Sequence, residues 1–341
     1  MTQLKGVCIG AGYFSQFHVE AWQRLREVEI VAVCDVHKAS AEKLATAHGI
    51  RKVYDDVEQM FIAEQPDFVD IITPPETHLE LCRLAVVHNI HIICQKPLAP
   101  NLKEAEEIAM LIEKSEVRMM VHENFRFMPW YREIKKLLNG DVVGNRIHAL
   151  HLRMRMGDGW QEDAYMNRQP YFRKMKQLLM YETGVHFIDV FRYLGGEITK
   201  VYARLKRLNT NIKGEDFSWV QLDFANGGLG FIDANRYNES TTTDARLTFG
   251  ALLLEGNKGS IRLYEDGKIT IQVLGEKEQP HEYAFENRNF AGDCVFHTQQ
   301  HFVECLVSNS PFETAVANYL KNIEVLEKVY KSDKSGLPID L

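Results

Sequence analysis

Val7-Cys8-Ile9-Gly10-Ala11-Gly12-Tyr13-Phe14-Ser15 is the stretch that decides the fold of this chain. Its apolar start predicts a buried strand, and the apolar residues after the glycines recur at helical spacing. The first glycine permits a tight turn, and the second lets a pyrophosphate approach the backbone at a helix N-terminus. Ser15 stands where a third glycine is usual, and a small side chain suffices there. The stretch therefore predicts a dinucleotide-binding turn, with Gly10, Gly12, Tyr13 and Phe14 against the cofactor.

A carboxylate further along supports this interpretation. Asp35 follows the apolar run 30–34 and stands 23 positions after Gly12. An acidic residue about 20 positions after such a turn binds the ribose diol of NAD and repels a 2′-phosphate. The alternative is a solvated aspartate at a strand end. The sequence predicts NAD rather than NADP, a preference that His37 and Lys38 would soften.

Strands and helices alternate over the first 121 residues. Near-continuous apolar strands that alternate with helices indicate a parallel sheet covered on both faces. The predicted strands are 7–9, 30–34, 52–54, 68–72, 92–94 and 118–121, and the later helices are 38–48, 56–63, 76–88 and 102–114. We therefore expect residues 1–123 to form a Rossmann-type, doubly wound α/β domain that binds NAD.

The pattern changes after this region. Tight Asn-Gly and Asp-Gly turns separate short apolar runs, and such turns connect antiparallel strands. The predicted strands are 219–224, 229–232, 252–254, 261–263 and 269–273, with helices at 130–138, 185–194, 295–306 and 314–332, the last capped by Thr314. This pattern therefore predicts that residues 124–341 form a largely antiparallel, open-sheet α+β domain for substrate binding. A sheet with one open face also predicts a homodimer or homotetramer.

The bulk composition excludes several classes of function. The chain has 341 residues, 45% of them hydrophobic and 26% charged, and a formal net charge of −7. An acidic chain has no electrostatic support for binding nucleic acid or anionic membranes. No apolar run approaches transmembrane length, and no signal peptide is expected before the first strand. Six scattered cysteines predict reduced thiols in a cytoplasmic protein.

Lys96-Pro97 follows the fifth predicted strand, at the edge where open α/β sheets bind ligands. Proline disfavours the helical conformation for Lys96 and permits a cis peptide bond, so the ammonium can be aimed. The turn after the fourth strand lies at the same edge; the alternative is that it only ends a strand and starts a helix. Further predicted cofactor contacts are Thr73, Pro74, His78, Gln95 and Asn124.

His186 lies in a stretch that predicts the start of a helix. Glu182 precedes it by four residues, a spacing at which the two side chains meet across one turn. Imidazole titrates near neutral pH and serves as a general base. A buried histidine that is satisfied by a carboxylate is also a common structural feature, so the residues alone leave both interpretations open.

Taken in order, these motifs resemble the glucose–fructose oxidoreductase / inositol dehydrogenase (Gfo/Idh/MocA) family. The resemblance implies a nicotinamide-dependent enzyme that acts on a secondary hydroxyl, or its ketone, of a sugar or polyol. Gln95 stands where family members usually have glutamate, and Glu182 where inositol dehydrogenase-like members have aspartate. The matching motifs are Gly10-x-Gly12 with His18, Asp35, Thr73-Pro74-Pro75 with His78, Lys96-Pro97 and Gly184-x-His186-x-x-Asp189.

On this resemblance, the expected catalytic residues are Lys96, Glu182 and His186. As a hypothesis, His186 takes the hydroxyl proton, and Lys96 stabilises the developing alkoxide. Glu182 orients His186 or binds a neighbouring hydroxyl; Asp189 is an alternative orienting group. Further expected substrate contacts are Arg126, Trp160, Tyr171 and Arg173. The alternatives are a reductase, an NAD-assisted glycoside-modifying enzyme, and a catalytically silent nicotinamide sensor.

Two weaker patterns remain. His297 and His301 have the i, i+4 spacing of a metal pair but no obvious third ligand, so we expect no metal. Basic residues alternate along a predicted strand, which is typical of a solvated face or subunit contact and less often indicates an anionic substrate such as a sugar acid. They are Arg146, His148, His151, Arg153 and Arg155.

Overall fold

The computed structural model describes residues 3–341. The chain forms two compact units, the first comprising the chain up to Asn124 together with Val295–Ile323, the second Phe125–Cys294 together with Glu324–Leu341. The sequence pattern predicts residues 295–323 in the second domain. This assignment is wrong: the segment belongs to the first unit. The reason is that Phe302 and Phe312 pack into the same apolar core as Trp22 and Phe68.

A six-stranded parallel sheet forms the centre of the first unit, as predicted. Its strands are β1 (Leu4–Ile9), β2 (Val28–Cys34), β3 (Lys52–Tyr54), β4 (Phe68–Ile71), β5 (His91–Gln95) and β6 (Met119–His122). They lie in the order β3-β2-β1-β4-β5-β6. From β1 the chain adds strands first on one side of the sheet (β2, β3) and then on the other (β4, β5, β6), so the strand order reverses between β1 and β4. Open α/β folds bind their ligands at this point, outside the carboxyl ends of the strands.

A nine-stranded, mostly antiparallel sheet forms the centre of the second unit, which confirms the predicted fold class. Its order is β14-β13-β12-β11-β7-β10-β9-β8-β15, with only β7 and β10 parallel among its paired strands. The strands are β7 (Ile147–Arg155), β8 (Ile198–Lys206), β9 (Phe217–Phe224), β10 (Leu229–Asn235), β11 (Ala251–Gly256), β12 (Gly259–Leu263), β13 (Ile269–Val273), β14 (Gln279–His281) and β15 (Ile339–Asp340).

The α-helices begin and end close to their predicted positions. They are α1 (Ser15–Arg24), α2 (Lys38–His48), α3 (Val57–Glu64), α4 (His78–Val87), α5 (Leu102–Glu113), α6 (Pro129–Asn139), α7 (Val185–Gly195), α8 (Cys294–Ser308) and α9 (Val316–Ser335). Thr314, the predicted cap of α9, lies two residues before the first helical residue Val316, and its hydroxyl donates to the Val121 carbonyl oxygen at 2.6 Å. Of the helices within residues 3–341, none is both long and apolar enough to cross a bilayer.

Candidate active site

The glycine-rich turn of the first unit is shaped by backbone constraints. Gly10 has a φ of +101°, and a Cβ there would lie 2.5 Å from the Ile72 carbonyl oxygen, so only glycine fits. A Cβ on Gly12 would meet nothing within 4 Å, so space is open above that backbone. Ser15 is fully buried at the start of α1, where a small side chain was predicted.

Asp35 lies beside this turn, immediately after β2. One carboxylate oxygen accepts a hydrogen bond from the Ala11 amide at 2.7 Å, and the other from the His37 amide at 2.8 Å. Each oxygen keeps a lone pair that a ribose hydroxyl can use. Tyr13 is half exposed at the turn, and Phe14 packs against Phe17. The turn and the carboxylate therefore fit a bound NAD.

His78 joins two of the loops at this edge. Its Nε2 lies 2.9 Å from the Thr73 carbonyl oxygen, and its Nδ1 lies 3.0 Å from that of Leu98. Burial lowers the pKa of His78, against the opposing effect of these two carbonyls. The side chain is fully buried, whereas Pro74 is exposed. Geometry thus gives His78 a supporting role behind the loops.

Lys96 follows β5 at the same edge, and the Lys96–Pro97 peptide bond is cis. Pro97 is buried and Lys96 is partly exposed. The Lys96 amide donates to the Gln95 side-chain oxygen at 2.7 Å. Asn124 is buried two residues after β6. The predicted cofactor residues thus cluster after the carboxyl ends of strands of one sheet.

In the second unit, the predicted helix start is a π-helix, Leu179–Gly184, that leads into α7. Single π-turns occur frequently at functional sites. Glu182 lies within it, and one of its oxygens accepts a hydrogen bond from the Thr183 hydroxyl at 2.6 Å. The sequence predicted a helix only at 185–194, which is α7, so the π-helix that precedes it was not predicted.

His186 is buried in the first turn of α7. Its ring lies flat on the Phe125 ring, with centroids 3.9 Å apart and planes 3° from parallel. Asp189 accepts two hydrogen bonds from the Arg126 guanidinium, both 2.7 Å long. Arg126, predicted as a substrate contact, is buried and anchors the 3₁₀ turn Phe125–Phe127 to α7. This ion pair therefore helps fix the ring that orients His186.

The remaining predicted substrate contacts lie in loops of the second unit. Trp160 is 48% exposed, and its Nε1 donates to Glu239 at 2.8 Å. Tyr171 is 56% exposed. The Arg173 guanidinium donates to the carbonyl oxygens of Glu162 and Ala164, so it braces a loop. Trp160 and Tyr171 therefore present aromatic surface, whereas Arg173 has a structural contact.

Sequence models of two protein families match this chain. The model described as an oxidoreductase family with an NAD-binding Rossmann fold matches residues 4–123. The model of the GFO/IDH/MocA C-terminal domain matches residues 131–262. This chain belongs to the Gfo/Idh/MocA family of oxidoreductases. The family, the Rossmann fold and NAD as the cofactor are thus confirmed.

Relatives of this Gfo/Idh/MocA protein match over its whole length. D-apiose dehydrogenase of Paraburkholderia graminis is 30% identical, covering 100% of this chain and 90% of its own. That of Rhizobium rhizogenes is 28% identical, covering 100% and 98%. The structure of an Agrobacterium radiobacter oxidoreductase in complex with NAD⁺, L-tartaric acid and magnesium has a TM-score of 0.90, 28% identity, and coverage of 99% and 98%.

Arg236 of this Gfo/Idh/MocA protein lies beside the predicted site residue Glu182, and the sequence did not point to it. It donates to both oxygens of Asp158, at 3.2 and 2.6 Å, and to the Thr183 hydroxyl at 3.2 Å. Its Nη1 lies 3.8 Å from a Glu182 oxygen. Burial alone would lower the pKa of Arg236, but the neighbouring carboxylate of Asp158 raises it. A permanent positive charge therefore lies beside Glu182.

Glu215 and Tyr330 were also missed, and both support the π-helix. Glu215 accepts hydrogen bonds from the backbone amides of Leu178 and Met180 at 3.1 Å and from the Tyr330 hydroxyl at 2.6 Å. The Tyr330 oxygen in turn accepts from the Tyr181 amide at 3.1 Å. Burial raises the pKa of Glu215 despite these donors. The buried Glu215 and the partly buried Tyr330 thus cap the N-terminus of the segment that carries Glu182.

The two weaker sequence patterns have structural explanations. His301 Nε2 accepts a hydrogen bond from the Glu313 amide at 3.0 Å. Throughout residues 3–341, no three His, Cys, Asp or Glu side chains lie together in a metal-binding group. On β7, His148, His151 and Arg153 are exposed on the face opposite the buried one. The basic strand is therefore an outer face of the sheet.

Proposed function

We propose that this protein is an NAD-dependent dehydrogenase that oxidises a secondary hydroxyl of a sugar or polyol. The observation that carries the proposal is Lys96, held on a buried proline turn at the same sheet edge as the glycine-rich turn and Asp35. Bound NAD would supply the hydride acceptor. Gly10, Gly12 and Asp35 would hold it. The chain's own residues then have to accept the hydroxyl proton and stabilise the negative charge that develops on the oxygen.

Lys96 is assigned to the developing charge. As the hydride leaves, the hydroxyl oxygen gains alkoxide character, and an ammonium that donates to it stabilises the transition state more than the ground state. A lysine suits this task because its ammonium is a compact point charge whose three rotatable donors can meet a single oxygen.

His186 is assigned to the proton as general base. Its stacking on Phe125 restricts rotation of the imidazole, so the nitrogen that accepts the proton keeps one direction. Glu182 is assigned to binding a neighbouring hydroxyl or orienting His186. The Arg236 Nη1 lies 3.8 Å from a Glu182 oxygen, and carboxylate oxygens accept hydrogen bonds from hydroxyls.

A neutral sugar is the proposed substrate class. Of the basic residues that had suggested a sugar acid, His148, His151 and Arg153 are exposed on the outer face of β7, and Arg155 pairs with Asp233. Trp160 and Tyr171 would provide aromatic surface for a sugar ring. The names of the relatives, D-apiose dehydrogenase and scyllo-inositol 2-dehydrogenase, support a small polyhydroxylated substrate.

The test is NADH formation by the purified protein. NAD and NADP would be crossed with D-apiose, other pentoses, inositols, glycosides and sugar acids. We expect turnover with NAD and a neutral sugar, and loss of turnover in His186→Ala. NAD binding with no turnover on any substrate would contradict the proposal and favour a nicotinamide sensor. Faster oxidation of NADH with the corresponding ketone would identify the reductive direction.

We also propose a homodimer or homotetramer formed through the outer face of the nine-stranded sheet. Trp219 and Leu229 are each 37% exposed there, and Trp219 lies 6.2 Å from the rings of Phe231 and Tyr202. Exposed apolar rows of this kind commonly mark interfaces. A cytoplasmic location is proposed because all six cysteines are buried free thiols.

A further inference from the structure

We propose that Asp70, His18 and Gln95 are positioning residues that set the orientation of Lys96 through one buried hydrogen-bond chain. This inference rests on the proposed role of Lys96. None of the three was assigned such a role from the sequence, where Asp70 was only part of a strand, His18 belonged to the glycine-rich motif, and Gln95 was a predicted cofactor contact in place of the family's usual glutamate.

The chain is continuous from β4 to Lys96. Asp70 Oδ2 lies 2.8 Å from His18 Nδ1, and both side chains are fully buried. His18 Nε2 lies 3.1 Å from Gln95 Nε2. The Gln95 side-chain oxygen accepts the Lys96 amide at 2.7 Å. Four residues from three segments of the first unit are therefore linked in series.

The partners assign a direction to every bond. The Asp70 carboxylate only accepts, so His18 Nδ1 carries the proton and donates. His18 Nε2 is then the acceptor for the Gln95 amide group, and the Gln95 oxygen accepts from Lys96. This arrangement uses neutral His18 and fixes its tautomer. Each of the three bonds has one donor and one acceptor. Reversing any one of them would place two donors or two acceptors opposite each other in the next bond.

This direction explains why glutamine stands at position 95. A glutamate there could not donate to His18 Nε2, so a hydrogen bond between them would require a second proton on the ring. An imidazolium would then lie between two carboxylates, with the His122 ring stacked 4.1 Å away on its face. The amide keeps the same connection with a neutral ring. Gln95 therefore preserves the link to Lys96 without an added charge pair.

The burial of Asp70 argues for a positioning role over a stabilising one. A buried carboxylate is costly unless its lone pairs are used. Oδ2 accepts from His18 and from Trp22 Nε1, the latter at 2.7 Å, while no side chain or backbone group among residues 3–341 donates to Oδ1. An apolar residue in this strand would be the more stable choice. Other groups near His18 are the Phe14 ring, His122 and Gln299, which donates to the His18 carbonyl oxygen.

The test compares three substitutions that differ in which bond they remove. His18→Gln places an amide near the Nε2 position and can still accept from Gln95, whereas His18→Asn reaches only the Nδ1 position. Trp22→Phe removes the other donor to Asp70 and leaves the chain to Lys96 intact. We expect kcat to fall about 10- to 100-fold in His18→Asn, because small displacements of a catalytic group have effects of this size. In Trp22→Phe it should stay within about threefold of wild type, and His18→Gln, which keeps the contact with Gln95 but loses the contact with Asp70, should fall between Trp22→Phe and His18→Asn.

A second readout does not depend on turnover. In protein labelled with ¹⁵N-lysine, exchange of the Lys96 amide should be slow in wild type and in Trp22→Phe, and at least about tenfold faster in His18→Asn. Equal loss of kcat in all three variants, in proportion to their melting temperatures, would overturn the inference. So would a Lys96 amide that stays protected in His18→Asn. If wild type turns over no substrate, the proposed function fails, and the exchange experiment still decides the hydrogen-bond chain.

Discussion

Arg126 and Asp189 form a buried bidentate ion pair, and single substitutions there have predictable costs. Arg126→Met leaves the Asp189 carboxylate buried without its two charged donors, so we expect it to lose about 3–5 kcal/mol of unfolding free energy in urea titrations. Lys136→Met removes an exposed partner of Glu133 and should change stability by less than about 1 kcal/mol. Equal small effects of both substitutions would contradict a structural role for Arg126.

His78 gives a residue-scale prediction for pH. Burial lowers its pKa from 6.5 in the native state, so the unfolded chain binds more protons below pH 6.5. The native state must therefore lose stability as the pH falls through 6.5 towards the folded-state pKa. His78→Gln keeps one donor but does not titrate. Its unfolding free energy at pH 7.5 should be lower by about 1–2 kcal/mol, and the gap to wild type should narrow at pH 5.5. A constant gap would refute the assignment.

Local spacing made some site residues predictable and left others hidden. Asp35 could be found because it and Gly12 lie in one strand–helix–strand unit, so their separation along the sequence is characteristic. Arg236 could not, because its proximity to Glu182 depends on how the end of β10 meets a loop containing Asp158. The ion pair of Arg126 with Asp189 is hidden for the same reason, since charge alone does not tell a substrate contact from an internal partner.

At the scale of elements, the π-helix Leu179–Gly184 is held by side chains from distant segments. Tyr330→Phe removes the hydroxyl that bridges Glu215 and the Tyr181 amide. We expect a several-fold fall in kcat/KM for the sugar, an unchanged KM for NAD, and a loss of about 1–2 kcal/mol in stability. Tyr264→Phe, which breaks an exposed bond to Glu278, is the matched control and should leave kinetics unchanged. Identical kinetics for Tyr330→Phe and wild type would contradict the supporting role.

Regular elements were predicted well because their signals are local. Alternating apolar strands and helices predicted all six strands of the parallel sheet, and Asn-Gly and Asp-Gly turns predicted the central hairpins. The π-helix was not predicted, because its capping by Glu215 and Tyr330 is a tertiary contact. The nine-residue strand β8 was also missed, as were the short edge strands β14 and β15, since strands of three and two residues carry no periodicity.

For the molecule as a whole, the sequence did not predict that residues 295–323 pack in the first unit. The apolar stripe of α8 shows that the helix must bury one face, but the pattern does not say which of two cores receives it. Packing of Phe302 against Trp22 and Phe68 gives the answer. The fold class was predictable, and the assignment of this segment required three-dimensional contacts.

The proposed oligomer gives a prediction at this scale. Light scattering of wild type should give a multiple of the 39.3 kDa chain mass. Trp219→Glu introduces a charge into the proposed apolar interface, so it should shift the protein towards a single chain. Val87→Glu changes a more exposed residue of the first unit and should have no effect on mass. A wild-type mass of one chain would contradict the proposed interface.

Hydride transfer from the sugar to NAD, assisted by Lys96, is tested most directly by following deuterium from the sugar to the nicotinamide. A substrate found in the NAD panel would be labelled at the carbinol carbon, and reduced cofactor would be analysed by mass spectrometry for wild type and Lys96→Met. We expect one deuterium per reduced nicotinamide in wild type and a rate at least about 100-fold lower in Lys96→Met, with NAD binding retained. Unlabelled NADH, or an equal rate without the lysine, would contradict it.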